Sequence, residues 1–309
     1  MRVTALAGGT GAAKLLRGLA RCLGARDLTI IGNTGDDAEI WGLSISPDLD
    51  TLTYALSGRL DSGRGWGLSG ETFRCLEAMA DFGGQTWFNL GDRDLATHLV
   101  RTQSLRSGAP LSAVTVEIAR SLGVLSRILP MSDEPVRTRV STPGGWLSFQ
   151  EYFVREKAMC EVLAVEYAGA EAARPAPGVI ESLHEADLIV VCPSNPVTSI
   201  GPILAVPGVA QALAAAPAPR IAVSPIVADT AVSGPAGTLM RMRGLSVSPL
   251  GVAAAYRPWL TGLAIDERDR DYAQALREAG IRPLIAPLLM TDHAREVALA
   301  RQILTSARS

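Results

Sequence analysis

Two short apolar runs near the start of the chain each end in a turn sequence. Residues 3–7 are followed by a glycine-rich turn at residues 8–11 and then by apolar residues at helical spacing over residues 12–23. Residues 28–32 form the second run, which ends in the polar turn at residues 33–37. Short apolar runs predict buried strands, and apolar residues three or four positions apart predict a helix. The pattern therefore predicts strand, turn, helix and strand, as in an α/β fold with a parallel sheet.

The pattern changes to mainly helices and loops between residue 46 and about residue 143. Helices are predicted over residues 51–60, 71–82 and 96–105. Two strand-like runs, residues 136–140 and 146–149, flank a Pro-Gly-Gly turn and predict a β-hairpin. We therefore expect one domain over residues 1–309, with a helical insertion and a hairpin within about residues 46–150.

The sheet is expected to resume after the hairpin. Residues 187–192 and 220–224 are strongly apolar strand candidates, and each is closed by a proline-containing turn. Further strands are predicted over residues 262–266 and 282–286, and a closing helix over residues 292–306. Residues 168–177 are rich in alanine and proline, a composition that fits either a linker or an ordered loop.

Length and composition exclude several classes of protein. Because 48% of the 309 residues are hydrophobic, the chain can fill a sizeable core and is not expected to be disordered. Its 29 Lys and Arg residues and 31 Asp and Glu residues give a formal charge of -2. That balance supplies no basic field, so we expect no nucleic-acid partner.

Cysteine spacing and the start of the chain bear on the compartment. The four cysteines, Cys22, Cys75, Cys160 and Cys192, are scattered and form no CxxC pair, which argues against a zinc site or a disulfide framework. The chain begins with a strand pattern rather than a signal peptide, and no apolar run approaches the length of a membrane span. We therefore expect a cytoplasmic protein with no membrane partner.

The glycine-rich turn Gly8, Gly9, Thr10 and Gly11 lies between a predicted strand and a predicted helix. Backbone N–H groups and a helix N-terminus can meet a phosphate there without obstruction by a Cβ atom. The spacing is neither the dinucleotide fingerprint nor the P-loop, so Lys14 is not a P-loop lysine. A tight turn of any α/β protein has the same pattern, and the turn alone does not decide between the two interpretations.

Two further turns carry paired aspartates. Asp36 and Asp37 follow the second strand, and Asp48 and Asp50 precede the first predicted helix of the insertion. Aspartates in such turns often cap helices. Mg²⁺ also prefers carboxylate oxygens, and needs only one or two when ligand phosphates supply the rest. Helix capping alone is a poor explanation for these four aspartates.

Three more segments have polar side chains suited to a site. Residues 91–94 lead into a helix that carries His98, which we interpret as a hydrogen-bonding residue of the helix face rather than a catalyst; a solvated helix start with an ion pair is the alternative. Ser194, Asn195 and Ser199 follow the apolar strand at residues 187–192, in a turn fixed by prolines that could hold a base, ribose or phosphate. Residues 233–237 form a comparable loop.

Together these motifs resemble the 2-phospho-L-lactate transferase family of coenzyme F420 biosynthesis, from residue 1 to about residue 292. The motifs that carry the resemblance are residues 7–11, 33–37, 46–51, 90–94, 129–133, 193–196, 224–226 and 233–237. The resemblance implies a Rossmann-like α/β fold, with a mostly parallel sheet flanked by helices, in a homodimer. It also implies a Mg²⁺-dependent reaction. A phospholactyl, phosphoenolpyruvyl or phosphoglyceryl group would pass from its guanosine diphosphate ester to the deazaflavin Fo, with release of GMP.

The resemblance also implies roles for single residues. Donor-nucleotide contacts are expected from Gly8, Gly9, Thr10, Gly11, Asn33, Thr34, Ser194, Asn195, Pro196 and Ser199. Acceptor contacts are expected from Asp50, Asn89, Asp92 and Arg93, and metal ligands from among Asp36, Asp37, Asp48 and Asp50. Asp50, expected at a polar cleft, would be the catalytic residue that orients or partly deprotonates the acceptor hydroxyl.

One departure and two alternatives accompany this interpretation. Many relatives carry a basic residue where this chain has Asn89, which can hydrogen-bond but cannot form an ion pair. A sister branch of the superfamily binds nucleotide sugars and regulates carbon metabolism, but it carries a glycine- and serine-rich segment where this chain has residues 38–42. A nicotinamide-dependent oxidoreductase is the third possibility, weakened by the missing fingerprint.

Overall fold

The computed structural model describes residues 1–307, in which seven parallel strands form the central sheet. These strands are β1 (Val3–Ala7), β2 (Leu28–Gly32), β5 (Arg127–Pro130), β9 (Leu188–Val191), β10 (Arg220–Val223), β13 (Gly262–Ile265) and β14 (Arg282–Ile285). Their order across the sheet is β14-β13-β10-β9-β1-β2-β5. The chain thus winds outward in both directions from β1 and β9, a doubly wound arrangement that confirms the predicted α/β fold.

The central strands read as continuous apolar runs because helices cover both faces of the sheet. Every residue of β1 and β9 is buried. In the register of the sheet, Val3 of β1 lies opposite Leu28 on one side and Leu188 on the other. Ligands of doubly wound folds bind where the winding reverses, here at the carboxyl ends of β1 and β9.

Helices pack on the two faces of the sheet around two cores of buried residues. The helices are α1 (Gly9–Cys22), α2 (Pro47–Leu56), α3 (Arg74–Asp81), α4 (Asp94–Arg106), α5 (Leu111–Ser121), α6 (Val179–His184), α7 (Gly201–Ala205), α8 (Val209–Ala215), α9 (Ala236–Met242), α10 (Pro249–Ala255), α11 (Ala273–Glu278) and α12 (His293–Ser306). Helix α1 packs against both α2 and α12. Leu15, Leu16 and Leu19 of α1 are fully buried there, which fixes the glycine turn at the start of the same helix.

The region between β2 and β5 contains most of the predicted insertion. A short hairpin, β3 (Ala38–Ile40) and β4 (Leu43–Ile45), leads into α2–α5. The prediction of mainly helices and loops up to residue 143 was wrong at β5, which pairs with β2 at the sheet edge. Its sequence of Arg, Ile, Leu and Pro offers only two buried apolar residues before the proline, too few to reveal a strand by pattern.

The predicted hairpin is present and belongs to a separate antiparallel sheet. Strands β6 (Arg137–Thr142) and β7 (Gly145–Ser148) form it, and β8 (Ala164–Ala168) pairs with the other edge of β6. Residues 170–176 continue as an ordered loop in which Ala170, Ala173 and Ala176 are buried. Of the two interpretations of the alanine- and proline-rich segment, the ordered loop is correct.

No single helix within residues 1–307 is both long and apolar enough to cross a bilayer, although the bent pair Pro196–Ala205 and Val209–Ala215 has the necessary length and composition.

Candidate active site

A cavity of about 470 Å³ opens where β1 and β9 end. Its walls come from the glycine turn, the start of α2, the start of α4, the turn after β9 and the loop at residues 233–235. The volume is in the range of small-molecule sites. The site predicted from three separate turns is therefore one continuous pocket.

The glycine turn packs closely against a carboxylate of the protein itself. A Cβ atom on Gly8 would lie 2.6 Å from Asp48 Oδ2, and one on Gly11 would lie 2.5 Å from the Pro193 carbonyl oxygen. Gly9 has a positive φ of 76°, and its N–H donates to Asp48 Oδ1 at 2.8 Å. These contacts explain the glycines by packing, and they place a carboxylate at the positive N-terminus of α1.

Asp36 and Asp48 form an acidic pair beneath this turn. Burial raises the pKa of Asp48 to about 6, against the opposing hydrogen bonds from Asn33 and Gly9. Burial, followed by the charge of Asp48, raises the pKa of Asp36 well above its ordinary value. Within residues 1–307, Asp36 Oδ1 is buried and has no hydrogen-bond partner. The pair thus keeps one buried carboxylate oxygen, Asp36 Oδ1, without a protein partner, and in the same part of the chain no cationic side chain compensates its charge through an ion pair.

Asn33 orients this pair, whereas the nearby charge of Asp37 adds to the repulsion that raises the pKa of Asp36. Asn33 Nδ2 donates to Asp48 Oδ2 at 2.8 Å and to the Thr198 carbonyl at 3.2 Å, so it orients the carboxylate. Ser46 Oγ donates to Asp37 Oδ2 at 2.9 Å. Burial raises the pKa of Asp37 to about 7, with Arg137 acting in the opposite direction. Neither Asn33 nor Asp37 lines the cavity, and neither does Thr34.

Asp50 lines the cavity but is bound differently. Both of its carboxylate oxygens accept hydrogen bonds from Arg101, which is 2% exposed. His98 Nδ1 lies 3.7 Å from Asp50 Oδ2 and 3.3 Å from Arg101 Nη1. Although Asp50 faces the predicted cleft, it is a nearly buried partner of an ion pair, and the ion pair holds the carboxylate in one orientation.

Asp94 extends the same network from the start of α4. Tyr54 Oη donates to Asp94 Oδ1 at 2.5 Å, and His98 Nε2 lies 3.4 Å from Asp94 Oδ2. Burial acts to raise the pKa of Asp94, but the nearby His98 ring, the hydrogen bond from Tyr54 and the charge of Arg101 outweigh it and lower the pKa. Asp94 and His98 both line the cavity. The interpretation of His98 as a hydrogen-bonding residue agrees with these contacts.

The turn after β9 closes the other side. Ser194 Oγ donates to the Gly8 carbonyl at 2.8 Å, which ties this turn to the glycine turn. Asn195 Oδ1 accepts from the Val197 N–H at 2.9 Å and caps the helical turn Pro196–Ile200. Ser194, Asn195 and Ser199 line the cavity, whereas Pro196 does not. These side chains are therefore positioned together beside Asp48.

The structure separates the three remaining predicted acceptor residues. Asn89 lines the cavity, but Asp92 and Arg93 do not. Asp92 accepts from the N–H groups of Arg74 and Cys75 at the start of α3. Arg93 donates to the Ser69 carbonyl. Asp92 and Arg93 therefore hold the segment around residues 69–75, and any effect on the acceptor would be indirect.

Several lining residues were missed by the sequence interpretation. They are Tyr54, Arg64, Trp66, Phe88, Phe149, Gln150 and Phe153. The rings of Phe149 and Phe153 are stacked, with centroids 5.5 Å apart, and form an apolar wall. Their spacing of four positions, which puts two residues on one face of a helix, was a signal that could have been used. Nothing in the sequence distinguished Arg64 from the other arginines.

The acidic pair fits a hard cation by the chemistry of its donors. Asp36 and Asp48 repel each other, and Asp36 has an unpartnered buried oxygen. Within residues 1–307, no group of three or more His, Cys, Asp or Glu residues is arranged to hold a metal ion by itself. Mg²⁺ commonly takes one or two carboxylates and completes its shell with water and ligand phosphates. Two carboxylates are therefore sufficient.

Comparisons with known proteins identify the family of the chain. The profile of the family described as 2-phospho-L-lactate transferase CofD matches residues 3–284. The chain is 46% identical over 313 residues to a phosphoenolpyruvate transferase of Streptomyces griseus, covering 99% of this chain and 98% of that protein. It is 43% identical over 295 residues to a 2-phospho-L-lactate transferase of Methanosarcina acetivorans, covering 95% of each.

A solved structure extends the likeness of fold. The crystal structure of a UPF0052 family member from Bacillus halodurans matches with a TM-score of 0.65 at 17% identity, covering 98% of each chain. At that identity the match bears on fold alone. The profile and the transferase relatives extend over nearly the whole chain. The protein is therefore an enzyme of the transferase class, and its chain belongs to the 2-phospho-L-lactate transferase family.

Proposed function

We propose that this enzyme transfers a phospho-three-carbon-acid group from a guanosine diphosphate ester to the deazaflavin Fo, releasing GMP and forming a precursor of coenzyme F420. The group is phospholactyl, phosphoenolpyruvyl or phosphoglyceryl. Membership of a transferase family supports an enzyme over a nucleotide-sugar-binding regulator. The observation that carries the proposal is one cavity in which an uncompensated acidic pair, Asp36 and Asp48, adjoins a carboxylate fixed by an ion pair, Asp50.

In the proposed reaction, a terminal hydroxyl oxygen of Fo forms a bond to the phosphorus nearer the acid. The bond from that phosphorus to the bridging oxygen breaks, and GMP leaves with the bond's electron pair. Such transfers depend on positioning and on neutralisation of charge. Because Arg101 fixes both oxygens of Asp50, that carboxylate can accept a hydrogen bond from the hydroxyl in a defined direction and take up its proton.

Asp36 and Asp48 would hold Mg²⁺. When bound, Mg²⁺ supplies positive charge that polarises phosphoryl oxygens and stabilises the departing phosphate. Asn33 and the Gly9 N–H fix the direction of the Asp48 carboxylate, which limits the reorganisation needed on ligand binding. Thr10 and Gly11, at the N-terminus of α1, and Ser194, Asn195 and Ser199 opposite them would contact the donor nucleotide.

The decisive experiment incubates the purified protein with Fo, Mg²⁺ and each guanylylated acid in turn, and reads the product masses. We expect one acid to be transferred to Fo. Each product should be accompanied by one GMP, because GMP is the leaving group of the proposed reaction. Omission of Fo is the control for hydrolysis of the donor. Absence of any Fo adduct with all three acids would contradict the proposed function.

Metal dependence is tested separately by calorimetric titration of GDP in Mg²⁺ and in chelator. We expect Mg²⁺ to strengthen GDP binding and GDP to strengthen Mg²⁺ binding by the same factor, since the two couplings are reciprocal. Identical GDP affinities in both conditions would remove the metal from nucleotide binding. The homodimer and the cytoplasmic location remain predictions.

A further inference from the structure

The cavity has a pronounced imbalance of charge. Four carboxylates line it, from Asp36, Asp48, Asp50 and Asp94. Among residues 1–307, Arg64 is the one Arg or Lys that lines it. Arg101 lies behind the wall and is bound to Asp50. A ligand with several negative charges therefore meets a single lining cation that is always protonated.

Arg64 belongs to a loop, residues 59–69, that we call the Arg64 loop. Its base is closed by backbone bonds: Asp61 N–H donates to the Gly67 carbonyl at 3.0 Å, and Ser69 N–H to the Arg59 carbonyl at 2.8 Å. A Cβ atom on Gly65 would lie 3.4 Å from Thr10 Cγ2. The loop thus lies directly against the N-terminus of α1, where a phosphate is most favourably bound.

Arg64 is fixed before any ligand binds. Its Nη2 donates to the Leu68 carbonyl at 2.9 Å and pairs with Asp61 Oδ2 at 3.0 Å. The guanidinium lies over two rings, 5.1 Å from the centroid of Trp66 and 5.3 Å from that of Phe73. Its Nε is buried and, within residues 1–307, has no hydrogen-bond partner. Its Nη1 takes part in neither polar contact, so the preorganised guanidinium keeps one arm of its fork as a donor to an oxyanion.

We propose that Arg64 binds an oxyanion of the donor beside the start of α1, and so selects a donor that carries negative charge beyond its first phosphate. This inference rests on the proposed function. The oxyanion is either the second phosphoryl group or the carboxylate of the three-carbon acid. Both present the oxygens that a guanidinium recognises, and the experiment below distinguishes them.

The test compares calorimetric affinities of Arg64→Gln and wild type for guanosine, GMP, GDP and the guanylylated acid, all in Mg²⁺. A contact with the second phosphoryl group predicts at least about tenfold weaker binding of GDP and the ester, with guanosine and GMP unchanged. A contact with the acid carboxylate predicts the same loss for the ester alone. Arg59→Gln is the matched control, since Arg59 is exposed in the same loop and does not line the cavity.

Arg64→Lys keeps the charge but not the fork, and we expect it to recover part of the lost affinity for the same ligand. It also provides the measurement if Arg64→Gln folds poorly. Equal losses for all four ligands would assign Arg64 to the shape of the loop and overturn the inference, as would wild-type affinities throughout. Failure of the proposed function is distinct, because wild type itself would then form no Fo adduct.

Discussion

The two acidic regions of the cavity are built in opposite ways. Asp36 and Asp48, at the end of β2 and the start of α2, are buried with few compensating groups, and their pKa values are raised. Asp50 on α2 and Asp94 on α4 are also buried but are paired with Arg101, His98 and Tyr54. The pKa of Asp94 is lowered.

This difference assigns different chemistry to carboxylates that look alike in sequence. An unpaired buried carboxylate is costly to ionise. A bound cation offsets that cost, and protonation removes the charge. A carboxylate with a fixed guanidinium beside it is already compensated and does not need a metal. We therefore interpret Asp36 and Asp48 as the cation site, and Asp50 with Asp94 as the part that orients the acceptor without metal.

The largest expected effect is at the compensated region. Asp50→Ala removes the proposed hydroxyl acceptor, so turnover should fall at least about a hundredfold. Because the substitution leaves the buried Arg101 guanidinium unpaired, we also expect a loss of about 3–5 kcal/mol in the free energy of unfolding. Steady-state kinetics and chemical denaturation measure the two effects. The polar cleft predicted from the sequence implied no such loss of stability.

A double variant separates the two effects. In Asp50→Ala/Arg101→Met both charges are gone, so stability should recover relative to Asp50→Ala alone while turnover stays low. If Asp50→Ala retained near-normal turnover, Asp50 would serve the fold alone, and the assignment of the acceptor hydroxyl to it would fail.

The next largest effect is on the stability of the metal-free protein as a function of pH. Its sign follows from the raised pKa values. Asp48 has a folded pKa of about 6 and Asp37 of about 7, both above the ordinary value near 4. The folded state then binds more protons than the unfolded state, so stability falls as pH rises from about 4 to about 7. Together these shifts correspond to a loss on the order of a few kcal/mol.

Denaturation in chelator at several pH values measures this decline. Asp94 contributes in the opposite sense, since its lowered pKa gives stability that is lost only as pH falls below about 4. Added Mg²⁺ should restore most stability at the alkaline end of the window, where the carboxylates are ionised. If the free energy of unfolding did not change between pH 4 and 7, or if the Mg²⁺ effect were greatest at pH 4, other groups of the protein would already offset the charge of Asp36 and Asp48.

Much of the fold could be predicted because its signal is local. The strands β1, β2, β9 and β10 are apolar runs bounded by turns, and their parallel pairing is the one expected of an α/β protein. Strand β5 could not be predicted, because four residues at a sheet edge carry too little pattern. Helix α2 begins at Pro47, four positions before the predicted start, because proline is well suited to a first helical turn.

The candidate site was predicted in part for the same reason. The turns at the ends of β1, β2 and β9 meet at one sheet edge, so Gly9, Asp36 and Asn195 could be grouped from sequence. The partners of the carboxylates could not, since Arg101 pairs with Asp50 across 51 positions of the chain. Arg64 could not be predicted for a further reason: the contact of its loop with the start of α1, made by Gly65 against Thr10, depends on how the insertion folds back.

The smallest expected effect is also the sharpest contrast between the two regions. Asp36→Asn removes one carboxylate from the uncompensated pair, so the metal-free protein at pH 8 should gain on the order of 1–2 kcal/mol in stability. Asp94→Asn removes a carboxylate from the compensated network and should lower stability, because Tyr54 and His98 lose a charged partner. Chemical denaturation in chelator measures both variants, with the thermal shift caused by Mg²⁺ as the second readout. We expect Asp36→Asn to reduce that shift and Asp94→Asn to leave it close to wild type. If both substitutions destabilise the metal-free protein equally and leave the Mg²⁺ shift unchanged, the two regions do not differ in compensation, and the cation site lies elsewhere.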